Sequence, residues 1–295
     1  MTELAGLMDS AQPAVNGAVD TGSARINRLK ATALDMRRAI VDMIYHARSG
    51  HPGSSLSAAD IMTALYFDVL NIDPAHPSWN DRDRFVMSKG HGCPAWYAAL
   101  ALRGFFPVEL LRTLRRFESI LQGHPVKKTP GIDMSTGSLG QGLSFGAGMA
   151  LEAKLTGGAY HVFVLLGDGE LNEGQVWEAA ALASRFRLDN LTAIVDNNRL
   201  QMDGFSNDVM PMEPIDAKFA AFGWNVVRID GHDMGRIVDA LESAKHAAGA
   251  PVCVVADTVK GKGVSYMENV RAWHGDVPDE RQYEAAMREF DGVAV

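Results

Sequence analysis

Two short polar runs each stand directly behind an apolar one. Gly167-Asp168-Gly169-Glu170 follows 161–166 (HVFVLL), and Asp196-Asn197-Asn198 follows 191–195 (LTAIV). A carboxylate from Asp168, an amide oxygen from Asn198 and a backbone carbonyl just beyond are hard oxygen ligands, suited to magnesium or calcium that keeps positions open for phosphate oxygens. The thirty positions from Asp168 to Asn198 match one βαβ unit, which would bring both groups to the same edge of neighbouring parallel strands. Gly167 and Gly169 leave no side chain in the way, and a helix starting near Glu173 or Gly174 would aim backbone N–H groups at the anion. The bland alternative, a loop at Gly-Asp-Gly and a turn with a helix cap at Asp196-Asn197-Asn198, explains each run alone better than both together.

Four of the nine histidines sit beside glycine in a second pattern: Gly50-His51-Pro52, Gly90-His91-Gly92, Gly123-His124-Pro125 and His274-Gly275. Glycine lets backbone approach a ligand closely, and imidazole can hydrogen-bond phosphate or sugar hydroxyls without a permanent charge. As a set they suggest a polar substrate channel, although each alone reads as a loop histidine. Gly231-His232-Asp233 reads differently, with Asp233 as the N-cap of the helix that follows. Gly137-Ser138-Leu139-Gly140-Gln141-Gly142 lacks the apolar strand that a dinucleotide fingerprint needs in front of it. Gly261-Lys262-Gly263 lacks the spacing of a phosphate-binding loop.

These residues need a scaffold. Apolar segments at 85–87, 161–166, 191–195, 225–229 and 252–256 alternate with helical stretches near 92–103, 107–118, 138–154, 174–187, 216–222 and 234–248. Short Val-, Ile- and Leu-rich strands separated by helices predict an α/β fold: a doubly wound parallel sheet with helices on both faces. Ahead of the sheet, Ile26, Leu29, Ala33, Met36, Ile40 and Met43 recur at three and four, predicting a helix stopped at Ser49-Gly50. Ser57 with Asp60 resembles a capping box that opens a second helix through about Leu70, and a short helix is expected at 279–290. Residues 1–24 are small and polar without period and are expected to form a flexible tail, leaving 25–295 as a single domain.

The 295 residues are 47% hydrophobic and 22% charged, which excludes disorder or fibre for the bulk of the chain. A net charge of -8 offers no general positive field for nucleic acid or anionic lipid, so any anion site must be local. Cys93 and Cys253, far apart and in no metal-ligand spacing, argue against a disulfide framework and for a cytoplasmic location. No apolar run approaches the length of a membrane span, and the N-terminus lacks the order of a signal peptide.

Taken together, GDGE…DNN, SGHPGSSLSAADI, SKGHG, QGHP, STGSLGQG and the late HG resemble the diphosphate-binding half of transketolase, a thiamine diphosphate enzyme, in that family's motif order from about Ile26 to Asp279. The resemblance implies that Asp168, Asn198 and the carbonyl of Leu200 hold Mg2+, for which Ca2+ or Mn2+ could substitute. It implies that Gly169, His91 and His274 contact the diphosphate, that Leu139 and Met202 flank the cofactor rings, and that Gly137 belongs to the turn beneath them. His51, His91, His124 and His274 match channel histidines that bind sugar hydroxyls and shuttle protons. Glu173 and Glu178 match acidic residues that link the two active sites of a dimer. Ser138 departs from the proline usual in long transketolases.

The resemblance also implies what lies elsewhere. In the family a glutamate that protonates the aminopyrimidine ring, and arginines that grip the substrate phosphate, come from a second domain that this sequence does not contain. The expectation is therefore the N-terminal subunit of a split transketolase, acting on phosphorylated sugars with a C-terminal pyrimidine-binding subunit in an α2β2 heterotetramer. Neither nucleic acid nor a membrane is an expected partner. Alternatives are a specialised split transketolase for a branched or sulfonated ketose phosphate, the α-subunit of another thiamine diphosphate enzyme, and a non-catalytic cofactor-binding subunit.

Overall fold

The computed structural model describes residues 22–293. Five strands pair in parallel in the order β1-β2-β3-β5-β4: β1 (Arg84–Met87), β2 (Val162–Gly167), β3 (Leu191–Asn197), β4 (Asn225–Asp230) and β5 (Val252–Asp257). These are the expected strands, each shifted or extended at its ends by no more than two residues. The helices are α1 (Gly22–Ala47), α2 (Pro52–Ser57), α3 (Ala59–Ala64), α4 (Cys93–Arg103), α5 (Gly142–Thr156), α6 (Gly174–Arg185), α7 (Ser206–Val209), α8 (Ile215–Ala221), α9 (Met234–Lys245) and α10 (Glu280–Asp291).

Side chains alternate between two cores, as the pleat of a two-sided sheet requires. Phe163 and Leu165 of β2 join Ile194, Val254 and the apolar stripes of α1, α4 and α9 on one face. Val162, Val164 and Leu166 join Ala193, Val195, Val255 and the inner sides of α5, α6 and α8 on the other. β2 and β3 are buried along their whole length, while β4, at the sheet edge, is largely exposed. This is the doubly wound α/β arrangement read from the alternation of strands and helices.

Several boundaries differ from expectation. The helix expected from Ile26 begins at Gly22, so 22–24 are its first turn rather than tail; the remaining tail, 1–21, lies outside the described residues. The helix expected to open at Ser57 instead opens at Pro52, whose fixed φ suits the first helical position. Ser57 caps nothing: its hydroxyl donates to the Asp196 carboxylate at 2.6 Å. Asp60 accepts from both terminal guanidinium nitrogens of Arg37, at 3.1 and 2.6 Å. Tertiary partners have claimed both side chains of the supposed capping box. The stretch 107–118 holds only a short 3-10 turn, Val108–Thr113, and Arg115 and Glu118 beyond it take left-handed φ values of 59° and 63°. Residues 138–141 remain loop, and α5 starts at Gly142. Asp233 does cap α9, accepting from Arg236 N at 3.1 Å as expected. Among the described residues, no helix is long and apolar enough to cross a membrane, and Cys93 and Cys253 are both buried and unpaired.

Candidate active site

The carboxyl ends of the central strands open on a cavity of about 300 Å³. This is the edge where open α/β sheets bind ligands. Gly167 at the end of β2 lies in register with Asp196 of β3, so the two polar runs emerge side by side. Asp168, Gly169, Asn198, Leu200 and Met202 all line the cavity. Arg199 between them has a left-handed φ of 62°, and this turn carries the chain back so that Asn198 Oδ1 accepts from Leu200 N at 3.2 Å. Asp168 is buried, and its Oδ2 accepts a hydrogen bond from the Ser206 hydroxyl of α7. Desolvation raises its pKa; Ser206 opposes the rise and the nearby Asp196 charge adds to it.

Three histidines line the same cavity. The rings of His51, His91 and His274 are mutually 5.2 to 5.5 Å apart between centroids. His51 sits just ahead of Pro52 at the start of α2, His91 in the turn before α4, and His274 at the end of the turn Arg271–His274. Burial, together with mutual and lysine charge repulsion, lowers the pKa of His274 to about 4 and of His91 well below its ordinary value. Burial, Arg115, His124 and Lys260 lower His51 to about 4. All three imidazoles are therefore neutral at pH 7. Lys260, following β5, donates to the Leu200 carbonyl at 2.7 Å and approaches His274 Nδ1 at 2.8 Å, an arrangement in which the imidazole proton resides on Nε2. Burial and the charge of Lys89 bring Lys260 down to about 8.

Gly137 and Leu139 complete the cavity. His124 does not line it. It lies exposed beside Gly137, where a Cβ would come within 3.3 Å of the imidazole Cγ, and partial desolvation by neighbouring groups, with the Arg115 charge, lowers its pKa. Glu173, the N-cap of α6, and Glu178 within that helix are exposed and also stand apart from the cavity.

Sequence reasoning missed Lys89, Lys260, Glu170, Ser54 and Gln201, all of which line the cavity. Lys89 and Lys260 stand just past the ends of β1 and β5, and the rule that singled out Asp168 would have found them there. Glu170 accepts from the Ser88 hydroxyl, from Gly140 N at 2.9 Å and from Gly167 N at 3.0 Å, tying together three of the loops around the cavity.

The cavity is also where hydrogen bonding is incomplete. Five buried side-chain atoms lack a partner among the described residues, and His51 Nδ1, Ser54 Oγ and Gln201 Nε2 are three of them. Unpaired buried polar groups are costly, so their gathering in one cavity points to a polar ligand. No cluster of three or more His, Cys, Asp and Glu side chains suited to a metal occurs among the described residues. A cation held here would have one carboxylate, an amide and a carbonyl from the protein and would take its remaining oxygens from an anion or water, which is the habit of magnesium.

Residues 29–292 match the family described as transketolase, thiamine diphosphate binding domain. The chain belongs to the transketolase family. It is 46% identical to the 6-deoxy-6-sulfo-D-fructose transketolase subunit SqwG of Clostridium sp. (strain MSTE9), covering 87% of this chain and 94% of that one. It is 44% identical to one subunit of the apulose-4-phosphate transketolase of Phocaeicola vulgatus, covering 90% and 94%. Against single-chain transketolases it matches a smaller part: the human enzyme is 42% identical over 85% of this chain but only 40% of its own length. The crystal structure of transketolase from Campylobacter jejuni superposes with a TM-score of 0.85 at 34% identity, over 90% of this chain and 43% of that one. The fold and the thiamine diphosphate-binding character of this transketolase domain follow from these matches. Its donor-rich cavity, with Gly169 bare and three polar atoms unpaired, fits a diphosphate held partly through a cation.

Proposed function

We propose that this chain is the diphosphate-binding subunit of a two-chain transketolase, transferring a two-carbon ketol unit from a ketose phosphate to an aldose phosphate with thiamine diphosphate and Mg2+. The observation that carries the reading is the meeting, in one cavity, of the Asp168–Asn198–Leu200 oxygen set with three neutral, mutually packed histidines. Thiamine diphosphate, when bound, supplies a nucleophilic carbon able to take up and release the ketol fragment. Asp168, Asn198 and the Leu200 carbonyl would hold the cation, with Ca2+ or Mn2+ able to replace Mg2+. Lys260 already donates to that carbonyl, which has a second lone pair to offer a cation. Gly169, His91 and His274 would face the diphosphate, and Gly137, Leu139 and Met202 the rings. His51, His91 and His274, with His124 beyond them beside Gly137, would hydrogen-bond sugar hydroxyls. Being neutral, each can accept a proton and return it.

The partner in this reading is a pyrimidine-binding subunit in a cytoplasmic α2β2 assembly, with the exposed Glu173 and Glu178 kept for the link between its active sites. The two split relatives described above are named as subunits, and their names point to unusual ketoses. A specialised donor, sulfonated or branched, is therefore the second reading, and xylulose 5-phosphate the reference. Ketol transfer to ribose 5-phosphate is to be measured with the chain alone and with its partner, using xylulose 5-phosphate, 6-deoxy-6-sulfofructose and apulose 4-phosphate as donors. Turnover by the lone chain would refute the two-subunit reading, and a complex inert toward every donor would refute the activity. Asp168→Ala is expected to abolish magnesium-dependent cofactor binding in calorimetry; unchanged affinity would remove Asp168 from the site.

A further inference from the structure

Two unpaired atoms in the cavity, Ser54 Oγ and Gln201 Nε2, belong to residues outside the set just assigned, and the second can only donate. Gln201 Nε2 is buried without a partner on the wall it shares with Gly169, Leu200 and Met202. The residue is fixed in place by its own backbone. Gln201 N donates to the Gly204 carbonyl at 2.8 Å, and Leu200 pairs with Phe205 across an antiparallel bridge, so 200–205 is a tight hairpin. Its side chain lies against Gly169, where an added Cβ would come within 2.9 Å of Cγ, 3.1 Å of Cδ and 3.5 Å of Nε2. The glycine that leaves room for a ligand thus also leaves room for this carboxamide.

A carboxamide nitrogen only donates. Left buried and unpaired it is unfavourable, so its partner is an acceptor brought into the cavity. The charged donors that line the same cavity, Lys89 and Lys260, make it a place for an acceptor with several negative oxygens. We propose that Gln201 donates its carboxamide N–H to the cofactor's diphosphate and is a further anion-binding residue of the site. The inference rests on the reading of the cavity as a diphosphate site, and its test separates the two.

Binding of inorganic pyrophosphate in the presence of Mg2+ is measured by calorimetry on the full chain, and binding of thiamine diphosphate with Mg2+ on its complex with the partner subunit. Gln201→Met keeps the length of the side chain and removes the donor; about tenfold weaker binding of both probes is expected. Gln201→Glu, which offers only acceptors and a negative charge, is expected to weaken both further. The melting temperature without ligand should hold or rise in Gln201→Met, because a buried unpaired donor has gone; a fall there with unchanged affinity would mark a structural residue. If the wild type binds pyrophosphate and Gln201→Met binds it equally well, a water is the partner and the role of Gln201 is overturned while the site stands. If the wild-type chain fails to bind pyrophosphate, both readings fall.

Discussion

Lys89, which lines the cavity, forms an ion pair with Asp196 behind it, their side chains 1% and 0% exposed. Burial pushes the Asp196 pKa up, but the Lys89 charge and the hydroxyls of Ser57 and Thr258 outweigh it and hold the carboxyl below its ordinary value. Such a pair adds little net stability against an apolar alternative, yet removing one member strands the other. Lys89→Met should therefore lower the unfolding free energy by about 3 to 5 kcal/mol in urea titration, and adding Asp196→Asn should restore part of it. This pair was invisible in the sequence because its members stand 107 positions apart, and only the sheet brings them together. Asp168 and Asn198 were legible because each directly follows an apolar strand. His124, Glu173 and Glu178 show the converse: motif context marked them, but their surroundings on this chain alone do not include the cavity.

At the level of elements, the carboxyl edge of the sheet is a set of loops that must keep register with one another. Glu170 joins three of them: the one after β1 through Ser88, the glycine-rich one before α5 through Gly140, and its own through Gly167. Those loops carry Lys89, Leu139 and Asp168. Glu170→Ala would leave two buried backbone N–H groups unpaired, and a loss of about 2 to 4 kcal/mol is expected in chemical denaturation, with faster amide exchange at Gly140 and Gly167. Strands and most helices could be read from apolar periodicity, since local pattern and tertiary burial agree there. The break between α2 and α3 could not. Ser57 and Asp60 look like capping residues locally, whereas their partners Asp196 and His232 lie 139 and 172 positions away.

Over the whole molecule, buried neutral histidines make the fold sensitive to acid. His161, entering β2, is buried against Thr192, and desolvation lowers its pKa to about 4, with Asp83 opposing and Lys245 adding to the shift. The unfolded chain takes up this proton below pH 6.5 and the folded chain only near pH 4. Stability is therefore full above 6.5, falls between 6.5 and about 4, and levels off below; this group's share is on the order of 3 kcal/mol. His161→Gln should flatten the stability profile in that window and change it little at pH 8, as equilibrium unfolding across pH can measure. His51, His91 and His274 slope the same way, so part of the acid loss should remain.

The strand order carries a consequence for how the sheet is made. β5 is the last of the described strands in sequence, yet it lies between β3 and β4. Until residues 252–257 arrive, β3 has an open edge and β4 has no partner strand. Closure of the sheet is thus a late, long-range event of the slow kind that non-local pairing imposes. The strand that completes it delivers Thr258 to Asp196 and Lys260 to the cavity. A nascent chain therefore acquires the floor of this cavity only once residues up to Lys260 have been made.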